Sequence, residues 1–68
     1  MLKTPFFSSD RKVRFEPSGE TLFYGRVRCT TVTPIRQDAD GRTAYRGADL
    51  FVPVRATRAD VETQYFHC

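Results

Sequence analysis

The sequence predicts a small all-β domain: a bent antiparallel meander, an SH3-like or OB-like partial barrel of three to five strands. Three observations carry that expectation. Apolar and polar residues alternate with period two over most of the chain, β-branched and aromatic residues dominate those runs, and turn residues separate them. With 68 residues there is room for one domain. A chain this short buries roughly 60% of the surface its unfolded form exposes, so its stability is marginal.

Residues 1–10 read as an N-terminal arm carrying Phe6 and Phe7, with Pro5 disfavouring helix at Thr4. The folded domain is expected over residues 11–68. In the first run, Val13 and Phe15 point one way and Lys12, Arg14 and Glu16 the other. Pro17-Ser18-Gly19-Glu20 is a turn, because Pro presets φ and Gly accepts positive φ.

Residues 21–36 alternate again, with Phe23, Gly25, Val27, Cys29, Thr31, Thr33 and Ile35 expected inside. Leu22, Tyr24, Arg26, Arg28, Thr30, Val32 and Pro34 are expected outside. At about 3.3 Å per residue this run would span roughly 50 Å. A globule with a radius of gyration of about 11 Å is far shorter, so the strand must bend or break. Gly25 and Pro34 are the expected points.

Gln37-Asp38-Ala39-Asp40-Gly41-Arg42 is the strongest turn signal, with Asp-Gly between two alternating runs. The next run sends Ala48, Leu50, Val52, Val54 and Ala56 inward. Matching apolar faces sets Phe15 opposite Phe23, Cys29 opposite Leu50 and Val27 opposite Val52, with Arg28 beside Phe51 and Arg26 beside Pro53 outside. In the tail, Val61, Thr63 and Tyr65 alternate as a fourth strand; a weak capping box, Thr57 with Asp60, is the competing signal for a short C-terminal helix.

Chemistry is sparse. Cys29, His67 and Cys68 are too few and wrongly spaced for structural zinc, so no metal or other cofactor is expected. Cys29 reads as a small core residue and Cys68 as a terminal thiol, although a bridge between them would staple the tail. His67, near the chain end, lacks a rigid frame for acid–base work. Asp38 and Asp40 share a turn whose following positions lack the Gly and Glu of a calcium loop. Gly19, Gly25, Gly41 and Gly47 do not cluster, so no phosphate loop is expected. No catalytic residue or small-molecule substrate follows.

Eleven Lys and Arg face eight Asp and Glu, a net charge of +3, and nine of the eleven are Arg. Arg suits a polyanion or an acidic protein face, yet the cations are dispersed, as on an ordinary soluble surface. Neither a membrane span nor a signal peptide is visible, so a cytoplasmic setting is expected: host cytoplasm or virion, were the source viral.

Two surfaces remain. The outer face, Tyr24, Arg26, Arg28, Arg46, Phe51 and Arg55, interleaves Arg with aromatics, as single-stranded nucleic-acid binders do. Phe6 and Phe7 at one end, with Tyr65 and Phe66 at the other, either plug the barrel or serve as docking arms. The expected function is a non-enzymatic protein–protein interaction module whose partner is another protein or its own copies. It would be a component of a larger assembly such as a virion, or an accessory inhibitor of a host machine. The alternative is an RNA- or DNA-binding small barrel.

Overall fold

The structure, a computed structural model, describes residues 2–37 and 43–67. It is mainly β: six strands, β1 (Phe6–Phe7), β2 (Val13–Pro17), β3 (Leu22–Tyr24), β4 (Val27–Gln37), β5 (Thr43–Arg46) and β6 (Leu50–Pro53), share one antiparallel sheet. Among the described residues one helix, α1 (Arg58–Phe66), follows.

β4 is the spine. Because β5 and β2 both pair with Ile35 and Arg36, they lie on opposite edges of it. β6 shares Val32 with β2 and Cys29 with β3, so it lies beside β5. Thus β2 and β3 run end to end along one edge, β5 and β6 along the other, and β1 flanks β2. This is an open meander, not a closed barrel.

Pro17-Ser18-Gly19-Glu20 therefore does not reverse the chain. The ladder continues through the Ser18 amide to the Thr31 carbonyl, at 2.9 Å, and resumes at Leu22 opposite Cys29. Gly19, at φ +77°, serves a bulge rather than a hairpin. Phe15 consequently faces Pro34 and not Phe23.

The long run does break at Gly25, whose φ is +65°. It does not break at Pro34. The Pro34 carbonyl accepts from the Gly47 amide at 2.9 Å, which places its missing N–H at the interruption between β5 and β6. There a central strand tolerates proline, since no ladder bond is lost. A Cβ on Gly47 would stand 3.1 Å from the Pro34 ring, so that approach also favours glycine. The unbroken β4 makes the molecule long, with extents of 41 × 20 × 18 Å.

Two further expectations are corrected. Cys29 pairs with Pro53 and Thr30 with Val52, a shift of three residues from the expected register. An odd shift exchanges faces, so the even-numbered Thr30, Val32 and Pro34 are buried with Val13, Phe15 and Val52. Val27 is exposed, whereas Cys29 and Ile35 are buried on the other face. Ala48 is also exposed, while Leu50, Val54 and Ala56 are half-buried.

The tail is a helix, not a strand. Thr57 Oγ1 accepts from the Asp60 amide at 3.2 Å and Asp60 Oδ2 from the Thr57 amide at 2.9 Å, so both bonds of the capping box form. Val61 and Tyr65 are four residues apart, a spacing that satisfies period two and helical period alike. In the helix they meet the sheet: Val61 is fully buried and Tyr65 stands edge-on to Phe15 at 5.5 Å. The core is Phe6, Val13, Phe15, Val32, Val52 and Val61, with Leu2, Leu50, Ala56 and Tyr65 packed around it.

Polar contacts secure the turn between β1 and β2. Val13 donates its amide to Ser8 Oγ, Ser8 Oγ donates to Asp10 Oδ1 at 2.6 Å, and the Lys12 amide donates to the same oxygen. The Ser8 hydroxyl first, then the Lys12 amide, hold the Asp10 carboxyl below its ordinary range. Arg11 adopts φ +61° there. The Ser9 amide and hydroxyl both donate to Glu62, tying this turn to the helix. Residues 38–42 of the turn expected over 37–42, and Cys68 with the thiol bridge it would complete, lie outside the described residues; Gln37 ends β4. No helix among the described residues is long and apolar enough to cross a membrane.

Candidate docking surface at the hairpin end

β3 and the start of β4 form a two-residue hairpin around Gly25-Arg26. Gly25 has positive φ and Arg26 does not, the pattern of a type II′ turn, whose twist matches the strands it joins. A Cβ on Gly25 would touch nothing within 4 Å, so the backbone alone requires glycine.

This hairpin extends past the helix. Alternation puts Leu22, Tyr24, Val27, Phe51 and Pro53 on the helix-free face: Tyr24 pairs with Val27, Leu22 and Pro53 flank Cys29, and Phe51 pairs with Thr31. Tyr24 is 75% exposed, Phe51 53% and Val27 51%. Phe23 and Arg28 pair on the opposite face, where the guanidinium lies over the ring at 5.8 Å. Phe23 is 68% exposed and is not part of the core that Val61 and Tyr65 join.

Beside the hairpin, Arg26, Val27, Arg28, Pro53, Val54 and Arg55 line a groove of about 280 Å³. Its two walls are joined where the Val54 amide donates to the Arg28 carbonyl at 3.1 Å. A second depression, about 250 Å³, lies on the outer side of α1 among Ala59, Glu62, Thr63, Phe66 and His67.

Of the expected outer-face residues, Tyr24, Arg26, Arg28, Phe51 and Arg55 do gather at this end, though Arg28 shares the face of Phe23 and not of Tyr24. Arg46 is elsewhere. It pairs with Ile35 at the far end of β4, 3.8 Å from a Glu16 carboxylate that also holds Arg14 at 2.8 Å. The expected docking arms divide as well. Phe6 is a core residue whose ring lies 5.3 Å from Phe15, and Tyr65 is half-buried. Phe7 and Phe66 remain exposed at 52% and 46%.

Phe23 and Val27 are the large apolar surface residues at this end that alternation misassigned to the interior. The sign of their exposure is that residues 22–27 carry apolar side chains on both faces of one short hairpin, more than a single core can cover. Comparison with protein-family models, curated proteins and solved structures found no match.

Proposed function

We propose that this chain is a non-enzymatic docking module that binds another protein through the helix-free face of its hairpin end. The observation that supports this reading is the solvent exposure of the Tyr24–Val27 pair and, two rows further along the same sheet face, of Phe51. Clustered exposed apolar side chains of this kind mark interaction sites. Tyr and Phe are also the side chains that anchor interfaces. A domain with so small a core also gains stability from a bound partner by mass action. A subunit of an assembly and an inhibitor would both use such a face.

The nucleic-acid alternative draws less support. It calls for Tyr24, Arg26, Arg28, Arg46, Phe51 and Arg55 on one surface, whereas Arg28 faces away from Tyr24 and Arg46 sits at the other end.

The test compares the tagged chain with a Tyr24→Ser/Phe51→Ser variant. Both residues are exposed, so the variant should melt within about 1 kcal/mol of the parent. In capture from native source, the parent should retain a stoichiometric protein, or its own copies by sedimentation, that the variant loses. Identical retention by both, or recovery of nucleic acid in place of protein, would overturn the reading.

A further inference from the structure

We propose that the groove beside the hairpin seats an acidic segment of the partner protein that also carries an aliphatic side chain. This rests on the docking reading above and specifies its chemistry.

Charge separates along the molecule. Residues 22–30 and 50–57 contain Arg26, Arg28 and Arg55 and no Asp or Glu. The rest of the chain holds eight cations and eight carboxylates, so these two stretches carry a formal charge of +3. Five carboxylates elsewhere are engaged: Glu16 with Arg14 and Arg46, Asp10 with Ser8 and Lys12, Asp49 with Thr33, Asp60 with Thr57, and Glu62 with Ser9. Among the described residues, Arg26, Arg28 and Arg55 pair with no carboxylate.

The groove has an apolar floor of Val27, Pro53 and Val54, and Arg26, Arg28 and Arg55 are the other residues that line it. Guanidinium forks match carboxylates in a two-pronged geometry. An aliphatic side chain fits the floor. A nucleic acid fits less well, since bases stack on open ring faces and the groove floor is aliphatic. At about 280 Å³ the groove suits a side chain or two rather than a cofactor.

Fluorescence anisotropy on the full chain tests this with three labelled probes: a peptide of mixed Glu and Leu, an all-Glu peptide of equal charge, and oligothymidylate. At about 50 mM salt the mixed peptide should bind tightest, and binding should weaken as salt shortens the range of the charges. Arg26→Gln/Arg28→Gln/Arg55→Gln should weaken it about tenfold to a hundredfold, as three exposed ion pairs would. The corresponding Lys variant should recover part of the loss, because it restores charge without the fork. An unchanged affinity in the Gln variant, or all-Glu peptide or oligothymidylate binding as tightly as the mixed peptide, would overturn the proposal. In partner capture, a Gln variant that keeps what Tyr24→Ser/Phe51→Ser loses would sink the acidic segment and leave the docking face standing. Retention by both variants would remove the two together.

Discussion

Phe15 and Phe23 lie on the same sheet face eight residues apart, yet one is fully buried and the other 68% exposed. The difference is the helix. Around Phe15, α1 closes the face with Val61 and Tyr65, β1 adds Phe6, and nearly every inward side chain loses its water. Around Phe23 the same sheet continues uncovered, and its apolar residues are left on both faces. One half of the molecule is thus built to fold and the other presents surface, on a single continuous spine. Regions with few buried contacts and exposed backbone bonds open most easily, so the hairpin end is where adaptation to a partner would begin.

The sharpest test of that division is Phe15→Ala. Removing a fully buried ring costs about 3–5 kcal/mol. The whole domain is worth only about 3–10 kcal/mol at typical stability per residue. The variant should be largely unfolded by urea or thermal melting. A loss under about 1 kcal/mol would mean that the helix does not close this face.

A smaller effect of opposite sign is expected where the two halves meet. Thr30 is buried beside Val52, and its hydroxyl has no hydrogen-bond partner. An unpaired buried hydroxyl is costly, whereas a methyl of the same shape suits the site. Thr30→Val should stabilise the domain by about 1 kcal/mol, a rise in Tm of roughly 4–8 °C. A fall in Tm would place Thr30 in a polar environment instead.

That same residue explains how far the sequence could be read. Alternation located the runs, the central strand, the break at Gly25 and the inward side of Val13, Phe15 and Val52. It could not choose the buried face of the run 21–36, because Leu22, Tyr24, Val32 and Pro34 rival Phe23, Val27, Cys29 and Ile35 in apolar content, and Thr30 reads as polar. What decides the face is the helix, and the helix was hidden by the four-residue spacing of Val61 and Tyr65. Register was likewise set by features that alternation does not carry: a bulge at Gly19, a shift at Arg36/Gln37 and the interruption at Gly47. At the candidate site, Tyr24, Arg26, Phe51 and Arg55 were legible as surface residues. Phe23 and Val27 were not, since a period-two rule has no way to know where cover ends.

The smallest effect is predicted for Phe23→Ala. Its ring is mostly in water, and its one resolved partner is the Arg28 guanidinium at 5.8 Å. An exposed cation–π contact is worth about 0.5–1 kcal/mol, and little apolar burial is lost with it. The Tm should therefore move by a few degrees at most, in contrast to the collapse expected of Phe15→Ala. Binding should respond differently from folding, because Phe23 is the neighbour of Arg28, which lines the groove. A Phe23→Ala variant that melts like the parent but binds the mixed Glu–Leu peptide more weakly would separate the two halves experimentally. One that melts as low as Phe15→Ala would show instead that something covers the hairpin, and that both Phe residues belong to one core.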